Sequence, residues 1–381
     1  MKSQNNNMKL FDVYPLYDVN PTKAKNVFVY DKDGKEYLDL YGGHAVISIG
    51  HSHPDYIKNI SSQLNKIGFY SNSVINPLQK ELANSIESLS GCYNYRLFIC
   101  NSGAESNENA LKLASMHTGK KRVIAFKNSF HGRTSAAIAA TDFRSFHSPL
   151  DQQQKVTFIS LNDIYALENE LKIGDVCAVL FESIQGYGGL DEPSEEFILS
   201  IEKMCKKYEA CLIADEVQSG FGRSGKFFAF QKYNIEPHFI CMGKGMGNGF
   251  PVGGVLIHPN IKAKYGMLGT TFGGNYLACS ASITVLDVIK REKLQENAKI
   301  MGDYFVKKAK SISQVIRIKG RGLMLGLEFD FQVSDLRKKL IYDKKIFTGG
   351  SGNKNLLRIL PPLTIQKTHF DKFFKALKEL L

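Results

Sequence analysis

Between about residues 95 and 258, short apolar runs alternate with helical patterns, and this alternation constrains the fold more than any other feature. The runs are RLFIC (96–100), RVIAF (122–126), VTFIS (156–160), VCAVLFE (176–182), CLIADE (211–216), HFICM (238–242) and VGGVLIH (252–258). Each has strand length and a strand-like composition. Between them, SNENALKLASMH and EEFILSIEKMCKKYE place apolar residues at i, i+3 and i+4, the helical period. Such a chain is expected to form βαβ units around a mostly parallel sheet buried on both faces, an α/β architecture. The ends read differently. Residues 27–41, VFVYDKDGKEYLDLY, alternate around a DKDGK turn and predict a hairpin. After about residue 275 come two long helical patterns, VIRIKGRGLMLGLEFD, a further helix, LLRILPP and a closing amphipathic helix. The expectation is a large central domain over 51–274, with a smaller α+β domain assembled from 1–50 and 275–381.

Composition excludes several classes of function. The net charge is +12, but Lys and Arg are spread along the chain without a basic tail. No RNP, zinc-finger or helix-turn-helix pattern accompanies them, so a basic surface with an anion-binding pocket is expected and nucleic acid is not. Seven cysteines, with no CxxC pair, read as reduced thiols and not as a disulfide framework or zinc site. His51 and His53 in GHSHP have no carboxylate or cysteine at ligand spacing, so no metal is expected. No stretch is apolar enough to span a bilayer. The start, MKSQNNNMKLFDVYP, lacks the apolar region of a signal peptide, which predicts a cytoplasmic protein. Its Asn-rich residues read as frayed, with Met8 as an alternative start.

The chemistry concentrates just after the predicted strands, where open parallel sheets place their ligands. After RLFIC, Ser102-Gly103-Ala104 turn directly into a helix, whose free N–H groups and dipole suit a phosphate. The plainer alternative is that Asn101 or Ser102 is only an N-cap. Asp215 ends an apolar strand, where an unpaired carboxylate is costly. A protonated heterocyclic nitrogen would partner it, and so would a core arginine. Phe130, in KNSFHGRT, is either core or an aromatic plate for a flat ligand. In FICMGKGMGNGFPVGG, Lys244 leaves a buried strand between Gly243 and Gly245, a frame that admits close approach. A phosphate cradle, a carboxylate for a ring nitrogen, an aromatic plate and a framed lysine together describe a site for pyridoxal 5'-phosphate. Lys244 would be the Schiff-base lysine, and its amine must be neutral to attack a carbonyl.

The ordered strings SGAE, FHG, DEVQSGFGR, a lysine in a Gly-rich turn and TTFGGN resemble the class III, or ornithine-type, PLP-dependent aminotransferases of fold type I. The resemblance runs from YDKDGKEYLDLYGGHAVISIGHSHP to RILPPL, nearly the whole chain. Within the class, NSGAESNENALKLA, SFHGRT and the compact length are most similar to the acylornithine aminotransferases of arginine biosynthesis. The resemblance implies that Ser102, Gly103 and Ala104 hold the cofactor phosphate. Phe130 and Val217 would cover the two faces of its ring, Asp215 would keep the ring nitrogen protonated, and Gln218 would lie on the hydroxyl side. Lys244 and Asp215 would be the catalytic pair, with Lys244 also carrying the proton. Thr271 would reach the phosphate in a partner subunit, implying a homodimer with shared sites, and Thr270 would contact the acylornithine. Arg133 and Arg358 would bind substrate carboxylates through their planar forks.

The string ESIQGYGG keeps Glu182 and Gln185 of the family pattern but has Tyr187 where related ornithine aminotransferases carry a glutamate that pairs with the C-terminal arginine. Tyrosine cannot neutralise Arg358, so Glu182 and Tyr187 join the substrate-selecting residues. Ser106 and Asn109 replace the more usual small apolar residues, which predicts altered packing or pocket polarity. The implied reaction moves the δ-amino group of an N-acylornithine, acetyl or succinyl, to 2-oxoglutarate. Free ornithine or 4-aminobutyrate is the alternative donor, and an aminomutase reaction would retain the amino group in a single product. A basic binding protein with a vestigial site is disfavoured because Lys244, Asp215 and the phosphate loop are all intact.

Overall fold

In the computed structural model, which describes residues 10–381, strands β1 (Pro21–Lys25), β2 (Phe28–Asp31) and β3 (Glu36–Asp39) pair antiparallel in sequence. The β2–β3 hairpin is the one read from DKDGK, with Phe28 opposite Leu38. The Asn-rich start and Met8 lie outside the described residues.

The seven apolar runs form one sheet from β4 (Arg96–Cys100), β5 (Arg122–Phe126), β6 (Val156–Ile159), β7 (Val176–Glu182), β8 (Cys211–Asp215), β9 (Phe239–Met242) and β10 (Gly253–Ile257). Their spatial order is β4-β10-β9-β8-β7-β5-β6. Every residue of β5, β7, β8 and β9 is buried, as expected for strands covered on both faces. The pairings β5/β6, β5/β7, β7/β8 and β8/β9 are parallel, but β10 runs antiparallel to both β9 and β4. The physical reason lies in the connection. Residues 243–252 hold only a single 3₁₀ turn, Lys244–Met246, too little for the crossover helix that a parallel return needs. The sharp return therefore presents Lys244 at the sheet end.

The remaining strands are β11 (Arg317–Arg321), β12 (Met324–Glu328), β13 (Ile346–Phe347) and β14 (Leu356–Ile359). β11, β12 and β14 form an antiparallel sheet, whereas β13 joins β3 in parallel, so the two ends of the chain share one sheet.

Two glycines let the helix Gly103–Thr118 seat tightly on the sheet. A Cβ on Gly253 would lie 2.5 Å from the Ser102 carbonyl oxygen, and one on Gly103 would lie 2.3 Å from a Val217 methyl. Ser106, on the buried face of this helix, donates to the Met242 carbonyl oxygen (2.7 Å) just before Gly243-Lys244. Asn109 donates to the Glu105 carbonyl oxygen within the helix (2.8 Å). The polar substitution at 106 thus ties the helix start to the strand end that presents the lysine.

Candidate active site

A cavity of about 730 Å³ opens at the carboxyl ends of the parallel strands. It brings together Gly103, Ala104, Phe130, Arg133, Glu182, Tyr187, Asp215, Val217, Gln218, Lys244 and Arg358 of the residues singled out from sequence. Lys244 follows β9 with φ of +43°, the left-handed region that residues with a Cβ rarely occupy. Strain of this kind persists where the surroundings over-determine it, as the flanking glycines and the tight return do here. Burial disfavours the ammonium form and lowers the pKa of Lys244. Asp215 and Glu182 oppose that shift, and Arg358 adds to it.

Asp215 ends β8 at 6% exposure, and its carboxylate is clamped. Oδ2 accepts from His131 Nδ1 (2.7 Å) and Asn107 Nδ2 (2.8 Å), and Oδ1 accepts from the Val217 N–H (3.0 Å). Its side-chain partners are therefore a histidine ring and an asparagine amide, and among the described residues no core arginine reaches it. Glu182, ending β7, accepts from the backbone N–H groups of Phe130 (3.0 Å) and Gly186 (2.8 Å), which anchors the two loops that carry Phe130 and Tyr187. Burial raises the Glu182 pKa, with Asp215 adding to the rise and His131 opposing it.

At the helix start, Ser102 is the N-cap, its Oγ accepting from the Glu105 N–H (3.2 Å). The first-turn N–H groups of Gly103 and Ala104 have no intrahelical partner, and both residues line the cavity, whereas Ser102 does not. Gln218 donates to the His44 carbonyl oxygen (3.2 Å), and its Oε1 is buried with no partner.

The opposite wall is basic. Arg358, in β14 and 2% exposed, donates to the carbonyl oxygens of Gly350 (2.6 Å) and Gly186 (2.8 Å) and to Tyr41 Oη (3.3 Å). All these partners are neutral, and burial with Arg337 nearby lowers its pKa. Tyr187 lies with its ring centroid 5.8 Å from the Arg358 guanidinium and packs on Phe143 (4.8 Å) and Phe130 (5.5 Å). Arg133 is exposed at the rim, its guanidinium 3.6 Å from the Phe146 ring centroid. Thr270 and Thr271 do not line the cavity. Thr270 Oγ1 accepts from Asn101 Nδ2 (3.2 Å) and the Gly273 N–H (3.0 Å), and Thr271 is exposed.

Asn107, His131, Tyr41, His44 and Arg337 also belong to the site and were not singled out as functional from sequence. His131 stands beside Phe130 in FHG, and Asn107 lies one helical turn after Gly103, facing back onto the strand ends. That helical spacing was the available signal for Asn107.

These groups fit a phosphorylated aromatic aldehyde. Free first-turn N–H groups suit its phosphate, an anchored carboxylate its ring nitrogen, an orphaned Gln218 oxygen a polar ring substituent, and an amine held towards its neutral form the aldehyde carbon. Among the described residues, no cluster of His, Cys, Asp and Glu could hold a metal ion, and no helix is long and apolar enough to cross a membrane.

A lysine at the carboxyl end of a sheet, beside a clamped aspartate and a helix N-terminus, defines a cofactor-dependent α/β transferase site. The chain belongs to the family described as aminotransferase class-III, which matches residues 12–381. It is 38% identical to the acetylornithine aminotransferase of Aquifex aeolicus, over 98% of this chain and 99% of that one. It is similar in structure to an acetylornithine aminotransferase from Elizabethkingia anophelis, with a TM-score of 0.82 and 30% identity over 96% and 94% of the two chains. It also resembles an ornithine aminotransferase from Toxoplasma gondii described with partial occupancy of PLP at its active site. There the TM-score is 0.88 and the identity 27%, over 96% and 90% of the chains.

Proposed function

We propose that this chain transfers the δ-amino group of an N-acylornithine to 2-oxoglutarate, using pyridoxal 5'-phosphate. The observation that carries the reading is one cavity holding Lys244 and Asp215 on one side and arginines with no acidic partner on the other. When bound, the cofactor supplies an electron sink for the carbon that loses its proton. The chain's residues do the rest. Gly103 and Ala104 offer N–H groups to the phosphate, with Ser102 shaping the helix start. Phe130 and Val217, both lining the cavity, would cover the flat ring. Asp215, fixed by His131 and Asn107, would offer an anion to the ring nitrogen, and the unpartnered Gln218 oxygen would meet the ring hydroxyl. Lys244, its ammonium form disfavoured, takes and returns a proton at the reacting carbon. Arg358 and Arg133 bind carboxylates through charge-assisted pairs. Tyr187 leaves Arg358 without an internal anion, so a substrate carboxylate becomes its counter-charge. Glu182 fixes the loops that deliver Phe130 and Tyr187.

The site is read as completed by a second copy. Thr270 and Thr271 lie outside this chain's own cavity, beside exposed apolar residues such as Phe272 (61% exposed) and Phe69, whose rings touch at 5.6 Å. Such a patch suits a homodimer in which these threonines serve the partner's site. Segments 1–50 and 275–381 are read as one smaller domain that brings Arg337 and Arg358 to a floor built by 51–274. A cytoplasmic setting suits the seven free cysteines.

The test is glutamate formation from 2-oxoglutarate with N-acetylornithine, N-succinylornithine, ornithine or 4-aminobutyrate as sole donor. An acylornithine should give the highest kcat/KM. A preference for ornithine or 4-aminobutyrate would replace this reading with the corresponding transaminase.

A further inference from the structure

The cavity holds one more arginine than an N-acetylated donor can use. Such a donor carries a single carboxylate, and 2-oxoglutarate carries two, whereas Arg133, Arg337 and Arg358 all line the wall. Among the described residues, none of the three forms an ion pair. Arg337 stands on the helix Ser334–Tyr342. Its Nη2 donates to the Thr348 carbonyl oxygen (3.1 Å), and its Nε is buried without a partner. Asp335, the acid on the same helix, faces Lys338 instead (3.4 Å).

Gly350 separates the two deeper arginines. Arg358 Nε donates to its carbonyl oxygen, and a Cβ there would lie 2.6 Å from Arg337 Nη1. Two guanidinium groups therefore flank one glycine without an anion between them, an arrangement that a bound carboxylate relieves. Arg358 is buried, whereas Arg337 is half-buried, with the Tyr17 ring 5.8 Å from its guanidinium and Pro15 also on the cavity wall. A donor whose δ-carbon reaches Lys244 carries its α-carboxylate and acyl tail at the far end, towards this outer position.

We infer that Arg337 is a specificity-determining residue that binds a terminal carboxylate on the donor's acyl group, so that the preferred donor bears a dicarboxylic acyl chain such as succinyl. The inference rests on the N-acylornithine reading. Arginine suits the task because its planar fork pairs with a carboxylate through two parallel bonds.

The experiment compares kcat/KM for N-succinylornithine and N-acetylornithine in the cofactor-loaded enzyme and in its Arg337→Leu and Arg337→Lys variants. The wild type should favour the succinyl donor. Arg337→Leu should lower the succinyl-to-acetyl ratio about tenfold or more, the scale of a lost charge-assisted pair. Arg337→Lys, which retains the charge without the fork, should fall between the two. Thermal melts and the visible cofactor spectrum verify that each variant is folded and loaded. A wild type that favours the acetyl donor, or a ratio unchanged in Arg337→Leu, overturns the role of Arg337 but leaves the acylornithine reading standing. If neither acylornithine reacts while ornithine or 4-aminobutyrate does, both fall together.

Discussion

Asp215→Asn tests whether the aspartate is held by the protein itself, before any cofactor binds. The carboxylate accepts three hydrogen bonds, two at Oδ2 from His131 and Asn107 and one at Oδ1 from the Val217 N–H. An asparagine has one oxygen. If that oxygen takes the Oδ2 position, the amide NH₂ faces the Val217 N–H. The flipped rotamer confronts two donors with a third. The better rotamer loses one bond and removes the charge assistance from two more. Hydrogen bonds to charged groups contribute about 1.5–3 kcal/mol and neutral ones about 1 kcal/mol, so the gross loss is about 2.5–7 kcal/mol. Relief of the buried charge works in the opposite direction. The clamp wins because the side-chain donors His131 and Asn107 are buried and the half-buried Val217 N–H would be left facing an amide N–H group. With the charge relief set against it, about 2–4 kcal/mol is expected to remain, and at about 2–4 °C per kcal/mol for domains of 150–250 residues the midpoint of thermal unfolding should fall by about 4–16 °C. The melt is run on cofactor-free protein, so that ligand stabilisation does not enter. A variant melting within about 1 °C of the wild type would refute the clamp.

Gly253→Ala would push a methyl group against the Ser102 backbone, and overpacking of this kind costs about 1–3 kcal/mol. Both the melting temperature and the affinity for pyridoxal 5'-phosphate should drop, as titration followed by absorbance would show; unchanged affinity would mean that the helix start does not hold the phosphate. Tyr187→Glu places a carboxylate near Arg358, and the KM for 2-oxoglutarate should rise about tenfold if Arg358 binds a substrate carboxylate; an unchanged KM would remove Arg358 from that role. In cofactor-free protein, the pH profile of Lys244 modification by an amine-directed reagent, read by peptide mass spectrometry, should have its midpoint below the ordinary lysine value of about 10.4. The folded chain then binds fewer protons at Lys244 than the unfolded chain does. Its contribution to stability rises with pH through the window between the two pKa values, and Lys244→Met should remove that slope.

The seven central strands were legible because each is a compact apolar run, and β7 and β8 are buried throughout their length. The reversed direction of β10 was not legible from its composition. It follows from the short Gly-rich connection, whose glycines serve the lysine's frame and the chain reversal alike. At the site, Lys244 and Asp215 announced themselves by ending buried strands. The groups that fix Asp215 come from 108 and 84 residues upstream, a pairing that no local pattern carries. Arg337 reads as one of several cations on an exposed helix, and only the return of β14 beside Gly350 brings it next to Arg358. Thr270 and Thr271 show the reverse case, since the resemblance assigned them a task that a single chain's cavity does not contain.

The most direct measurement follows the visible absorption of the cofactor-loaded protein as one amino donor is added without an oxo acid. An N-acylornithine should remove the absorption band of the loaded protein, 2-oxoglutarate should restore it, and Lys244→Ala should show neither change. A band left untouched by acylornithines but removed by another amine would contradict the assigned donor, and wild-type behaviour in Lys244→Ala would contradict the site itself.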